Sequence, residues 1–400
     1  PSRVGFLTGH YPGDVDVWAN PSRLSSEVPT FVHALNAAGY ETVLSGRMHF
    51  QGPDQYHGFA RRIYGDCYNA LSDEIRGTGF NRTDGQTAYS VIVSGAGRTG
   101  FQWFDRRVTE VSCEYLAGHH DAVRRGTGRR NAGPHEEATP FCLVVGYMLP
   151  HNPYICEPEL FDYYLERVRD AAPEEADGSD PATTHPSLQT WRERRGLAEL
   201  DPEHACRAQA AYYGLVTEMD RNVGTVLDAV ADGPGMENTI VIYCSDHGDM
   251  AGEHGMWWKS NYFEGSARVP LIVADPRPAS GGGTEPAVVS LIDVGPTLLD
   301  AVNAPPLPGV SGRSFASRFE SGVMPADWRN EAFAEYRGGH GDQPSAMIRS
   351  GKWKLMYYSE HDRYLLFDLD ADPDERNDPS SDAALREEVA APLMKRLFEL

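Results

Sequence analysis

Three apolar runs limit what this chain can fold into. Phe141–Met148, Thr239–Cys244 and Val269–Ala274 lack the polar alternation of a half-solvated strand. Each therefore reads as a strand covered on both faces. Helical periodicity fills the intervals: Thr30–Ala38 stops at Gly39, Phe104–Leu116 has i, i+3, i+4 spacing, and Cys206–Val230 is long. Tyr40–Leu44 forms a further short strand that ends at Ser45-Gly46. Alternation of buried strands with helices predicts an α/β fold, an α/β/α sandwich around a large, mostly parallel central sheet.

The last 90 residues change style. Lys354–Tyr358 and Tyr364–Leu369 flank a polar turn at Ser359–Arg363, the pattern of a hairpin, and a final helix follows an Asp/Pro-rich stretch. Two domains are expected, a catalytic α/β domain over residues 1–310 and a small antiparallel α+β domain over 311–400. Gly118–Thr139, Ala171–Ser187 and Asp275–Pro286 read as surface loops.

The chain has 400 residues, of which 40% are hydrophobic, so a large core is available. Its formal charge of −22 argues against a nucleic-acid partner but permits an anionic small molecule in a locally cationic cleft. The longest apolar stretch, Phe141–Leu149, is too short for a bilayer, so no membrane partner is expected. The six cysteines have no C-x-x-C spacing and several lie in apolar runs. Reduced thiols and a cytoplasmic location are the expectation. The chain opens on Pro1-Ser2-Arg3 without a Met or a leader pattern and reads as starting inside a longer sequence.

Ligands of open α/β sheets bind beyond the carboxyl ends of strands. Three strand ends here carry chemically active residues: Gly46-Arg47-Met48-His49, Pro150-His151-Asn152 and Asp246-His247-Gly248-Asp249. A carboxylate beside an imidazole can bind a divalent cation, whereas a lone Asp at that place can simply cap a helix. The continuation Gly252-Glu253-His254-Gly255 up to Lys259 favours the first reading. Lysine occurs only four times, against 32 arginines. A lysine kept thirteen residues after Asp246 therefore points to a need for a compact ammonium. His49 and His151, each unremarkable alone, suggest together with Arg47 a shared anion pocket. There is no G-x-S-x-G elbow, P-loop or G-x-G-x-x-G fingerprint.

Taken together, these residues resemble the sulfatase family of the alkaline-phosphatase superfamily, over nearly the whole chain. Pro1-Ser2-Arg3 with Leu7-Thr8-Gly9-His10-Tyr11-Pro12 is similar to the second half of the family signature. Gly46-Arg47-Met48-His49-Phe50 and Gly52-Pro53-Asp54-Gln55-Tyr56-His57-Gly58-Phe59 resemble its choline-sulfatase and phosphonate-monoester-hydrolase branch. The stretch from Ser245 to Lys259, followed by Glu264-x-x-x-Arg268-Val269-Pro270, is the most specific match. Lys352-Trp353-Lys354-Leu355 and Leu366-Phe367-Asp368-Leu369 are similar to the family's C-terminal domain.

The resemblance implies sulfate monoester hydrolysis by a formylglycine hydrate. That residue and the first strand are expected upstream, the nucleophile two places before Pro1, together with a pair of metal-binding aspartates. It further implies a divalent metal, Ca²⁺ first and Mg²⁺ or Mn²⁺ next, with Asp246 and His247 among its ligands. Arg3 would hold the hydrate and the metal-side carboxylates, His49 would stabilise the hydrate, and His151 and Lys259 would meet the sulfate oxygens. Arg47 stands where the family usually has Lys, which keeps the charge and changes its shape. The implied partner is a small anionic sulfate ester, with homo-oligomerisation left open. The alternatives are a phosphodiesterase or phosphonate monoester hydrolase on the same scaffold, and a catalytically inactive sulfatase-like protein.

Overall fold

The computed structural model describes residues 1–67, 85–124, 139–171, 180–277, 282–338 and 342–400. Strand Glu41–Gly46 lies between Arg61–Tyr64 and Phe141–Gly146 and runs parallel to both. Its register with the second pairs Glu41 with Phe141 and Gly46 with Gly146, so the two strands end level. The helix Gly100–Arg124 packs on this sheet, and Ser112 Oγ donates to Ser45 Oγ at 2.9 Å. On it, Phe101, Phe104 and Val108 share a buried face, as i, i+3 and i+7 spacing requires.

Within the mostly parallel arrangement, Val241–Cys244 pairs with Leu271–Ala274 antiparallel. The segment between them holds a short hairpin, the turn Glu253–Gly255 and the four-residue helix Glu264–Ala267, rather than the long helix that usually carries a parallel crossover. One expectation is corrected here, since the apolar runs are not fully buried: all of Phe141–Gly146 and Val241–Cys244 is partly exposed. Among the described residues, each is paired along one edge alone.

Of the stretches expected as loops, residues 125–138, 172–179 and 278–281 lie outside the described residues. Gly118–Arg124 instead continues the long helix. Pro181–Thr184 and Pro186–Arg194 are helices as well, the first capped by Asp180 Oδ1 accepting from Ala182 N at 2.8 Å. Proline at the first helical position suits a helix start, although in sequence it reads as loop.

The C-terminal residues form a four-stranded antiparallel sheet of Glu331–Tyr336, Ser345–Ser350, Trp353–Tyr358 and Arg363–Asp368. Period-two alternation sorts its side chains. Ile348, Leu355 and Leu366 pack with Leu393 and Leu397 of the last helix, Ala391–Glu399. Met347, Met356, Leu365 and Phe367 join the main core on the other face. Lys354, fully buried, ties this sheet to the rest of the chain: its Nζ lies 2.8 Å from Glu264 and 2.7 Å from Glu375.

Candidate active site

The level ends of Glu41–Gly46 and Phe141–Gly146 place Arg47-Met48-His49 beside the turn Met148–His151. Glycine is required at both ends. A Cβ on Gly146 would stand 1.9 Å from the Arg47 carbonyl oxygen, and one on Gly46 2.3 Å from that of Gly146. The Arg47 N–H donates to Gly146 O at 2.8 Å, which locks the crossing.

Around this crossing the predicted residues converge. Arg3 Nη2 lies 3.0 Å from Asp246 Oδ2, and the Ser2 hydroxyl donates to the Asp246 carbonyl at 2.5 Å. Lys259 Nζ lies 3.0 Å from Nε2 of His151 and 3.0 Å from Nε2 of His247. In each imidazole Nδ1 faces a backbone carbonyl at 2.7 Å, that of Asn152 for His151 and of Gly248 for His247. That contact places the ring proton on Nδ1 and leaves Nε2 as acceptor for the ammonium. His247 Nε2 is also 3.7 Å from Asp246 Oδ2. Five of the seven predicted residues thus form one contact chain: Arg3, Asp246, His247, Lys259 and His151.

Electrostatics join the other two. Burial, then the charges of Arg47 and Arg3, pull the His49 imidazole down to about 4. Burial and then Lys259 and Arg47 hold His151 well below the ordinary histidine range. His247 is pulled down to about 3, chiefly by burial and despite Asp246. Burial lowers Lys259 to about 8, assisted by Arg47. Burial alone would raise the Asp246 carboxyl, but Arg3, His247, Arg47 and Lys259 hold it well below the usual carboxylate range. The result is neutral imidazoles and a cationic cluster around one carboxylate, suited to an anion.

Sequence reasoning missed Tyr154, Asp66 and Asp105, and gave Asp249 no role of its own. Tyr154 OH donates to Asp249 Oδ1 at 2.8 Å, and burial pushes the Asp249 carboxyl up to about 7. Asp66 and Asp105, both buried, accept backbone N–H groups beside His49 and His151. Asp105 had a legible signal: a carboxylate on the apolar Phe101-Phe104-Val108 face of its helix. Asn20 is exposed, and Glu335 lies in a strand with its Oε1 accepting from Gly13 N at 3.1 Å. Asp342 is held by Arg195, at 3.1 and 2.6 Å.

Asp246 is a suitable hard donor for a divalent cation, but the described residues contain no group of three or more His, Cys, Asp or Glu arranged to hold one. The Nε2 of His247 already faces Lys259. Two donors fall short of the roughly six to eight that Ca²⁺ collects, so these residues alone do not make a metal centre.

The Sulfatase family profile matches residues 1–304, and a profile described as N-sulphoglucosamine sulphohydrolase, C-terminal, matches residues 252–400. The chain is similar to the Choline-sulfatase of Rhizobium meliloti (strain 1021), 34% identical over 386 residues, 93% of this chain and 71% of that protein. It is 27% identical to the Arylsulfatase K of Gallus gallus over 395 residues, 94% and 69% of the two chains. Its fold is similar to that of the phosphonate monoester hydrolase of Agrobacterium radiobacter, with a TM-score of 0.73, 21% identity, and coverage of 99% of this chain and 84% of that one. The chain belongs to the sulfatase family, and is a sulfuric ester hydrolase with the alkaline-phosphatase-like fold.

Proposed function

We propose that the Arg3–Asp246–His247–Lys259–His151 chain, with Arg47 and His49 beside it, is the sulfate-binding part of the active site, and that its substrate is a small sulfate monoester. The observation that carries this reading is the bridging of two imidazole Nε2 atoms by Lys259, each at 3.0 Å. An ammonium between two neutral rings is a donor that can turn to an oxyanion without first breaking a salt bridge. The rings it leaves can then take up or deliver a proton. Lys259, His151 and Arg47 would neutralise charge on the sulfate oxygens as it grows, and His49 would hold a proton near the attacking oxygen. Arg3 would keep Asp246 ionised and in place.

Sulfatases generally work with a divalent metal and a formylglycine. In this reading the formylglycine supplies the nucleophilic oxygen and stands two places before Pro1, and Asp246 is this chain's carboxylate toward Ca²⁺, or Mg²⁺ or Mn²⁺ in its place. Six free cysteines support the further reading of a reducing, cytoplasmic location.

The test compares kcat/KM of the full-length enzyme for a nitrophenyl sulfate and for a nitrophenyl phenylphosphonate. A preference for the sulfate that Lys259→Ala removes is expected. A preference for the phosphonate ester would transfer the assignment to phosphonate monoester hydrolysis, and turnover of neither would indicate an inactive sulfatase-like protein.

A further inference from the structure

Two buried carboxylates stand behind the site and accept hydrogen bonds from its backbone. Asp66 is 2% exposed, and its Oδ2 accepts from Met48 N at 3.1 Å and from His49 N at 2.6 Å. Asp105 is fully buried, its Oδ1 accepting from Met148 N and its Oδ2 from Leu149 N, both at 2.8 Å. In each case two consecutive amides, just past a strand end and just before or at a site histidine, converge on one carboxylate.

The backbone accounting explains why a carboxylate is there. Beyond Gly146 the Phe141–Gly146 strand has no further pairing with its neighbour. The turn then has four residues to satisfy. Met148 and Leu149 donate to Asp105, Pro150 has no N–H, and His151 N donates to Met148 O at 3.0 Å. The corresponding turn at the other strand puts His49 at φ 63°, a left-handed conformation that a side chain adopts only when its surroundings impose it. The Asp66 carboxylate accepts the amide of this same residue. Asp105 sits on the rigid helix Gly100–Arg124, itself fixed to Ser45 of the neighbouring strand through Ser112.

We propose that Asp66 and Asp105 are positioning residues of this sulfatase, each fixing through a pair of backbone amides the strand-end turn that presents a site histidine, His49 for Asp66 and His151 for Asp105. This rests on the assignment of those histidines to the active site. It predicts an asymmetry between the two carboxylates. One oxygen of Asp66 accepts both amides, so asparagine, with its carbonyl in that place, keeps both bonds. Asp105 uses both oxygens, so asparagine there must turn its NH₂ against an N–H.

Double-mutant cycles in the full-length enzyme test this, with kcat and KM read on a nitrophenyl sulfate. Asp105→Asn is expected to lower kcat about 10- to 100-fold with KM within about threefold, the scale of losing a supporting hydrogen bond behind a reacting group. In a His151→Ala background the same change should lower kcat less than about threefold, because its effect passes through His151. Asp66→Asn should retain kcat within about threefold, whereas Asp66→Ala should lose it, again only while His49 is present. Full additivity with the histidine substitutions, or wild-type kcat in Asp105→Asn, would overturn the proposal. If His49→Ala and His151→Ala themselves keep full kcat, the assignment of the histidines fails first, and the proposal with it. Should the aspartate variants not fold, amide hydrogen exchange on the unaltered protein decides. Met48, His49, Met148 and Leu149 should exchange as slowly as strand Glu41–Gly46, and exchange at the rate of open loops would refute the clamp.

Discussion

Lys259 reaches back across a hairpin to His247, its Nζ 3.0 Å from the imidazole Nε2. The hairpin pairs Met250 with Trp258 and Ala251 with Trp257, so the two residues flank its open end. Buried Trp257 and Trp258 anchor it in the core. The same ammonium reaches His151 from another strand end, which makes it the link between two parts of the site.

Lys259→Ala should therefore lower kcat for a sulfate ester by about 2–4 kcal/mol of transition-state stabilisation, the scale of one preorganised donor. Lys259→Arg should restore little of it, because a planar guanidinium cannot reproduce two 3.0 Å contacts from a single nitrogen. Steady-state kinetics of the two variants check both statements, and an active Lys259→Arg enzyme would show that charge alone suffices.

Burial pushes the Asp105 carboxyl from its ordinary 3.8 up to about 7. Between those values the folded chain keeps a proton that the unfolded chain has released. Stability from this group is thus full below about 3.8 and is lost as pH rises through about 7. Relative to Asp105→Asn, which cannot ionise, the wild type should lose urea stability between pH 5 and pH 8. Denaturation midpoints of both proteins at the two pH values measure this, and a gap that does not change with pH would contradict it.

Lys354 should be far more sensitive than its neighbour Lys352. Lys354→Ala leaves the buried Glu375 without the ammonium at 2.7 Å and the half-buried Glu264, which keeps Arg349, without the one at 2.8 Å, a change that costs about 3–5 kcal/mol. Lys352 is 44% exposed and pairs with Asp368 on the surface, so Lys352→Ala should cost less than about 1 kcal/mol. Thermal or urea unfolding of the two variants provides the comparison.

Calcium should bind residues 1–400 no more tightly than about millimolar, since Asp246 and His247 provide too few donors alone. Titration calorimetry reads this directly. Submillimolar binding that Asp246→Ala abolishes would mean that these residues form a complete centre.

The sequence by itself determined the α/β class and the longest helices, Gly100–Arg124 and Pro202–Asp232, together with strands such as Glu41–Gly46 and Phe141–Gly146, and it nominated the seven candidate site residues. Those properties are local: apolar period, glycine and proline stops, and polar residues placed directly after strands. It did not determine strand direction at Val241–Cys244, which depends on how the segment between the two strands folds. Nor could it separate Lys354 from Lys352, two residues apart, one fully buried and one on the surface. Only tertiary structure decided that Arg3 meets Asp246, that one lysine joins two histidines, and that Asp66 and Asp105 hold the turns behind them. Each of those facts is a pairing between distant segments, and a buried charge or amide is stable only where the fold brings its partner to it.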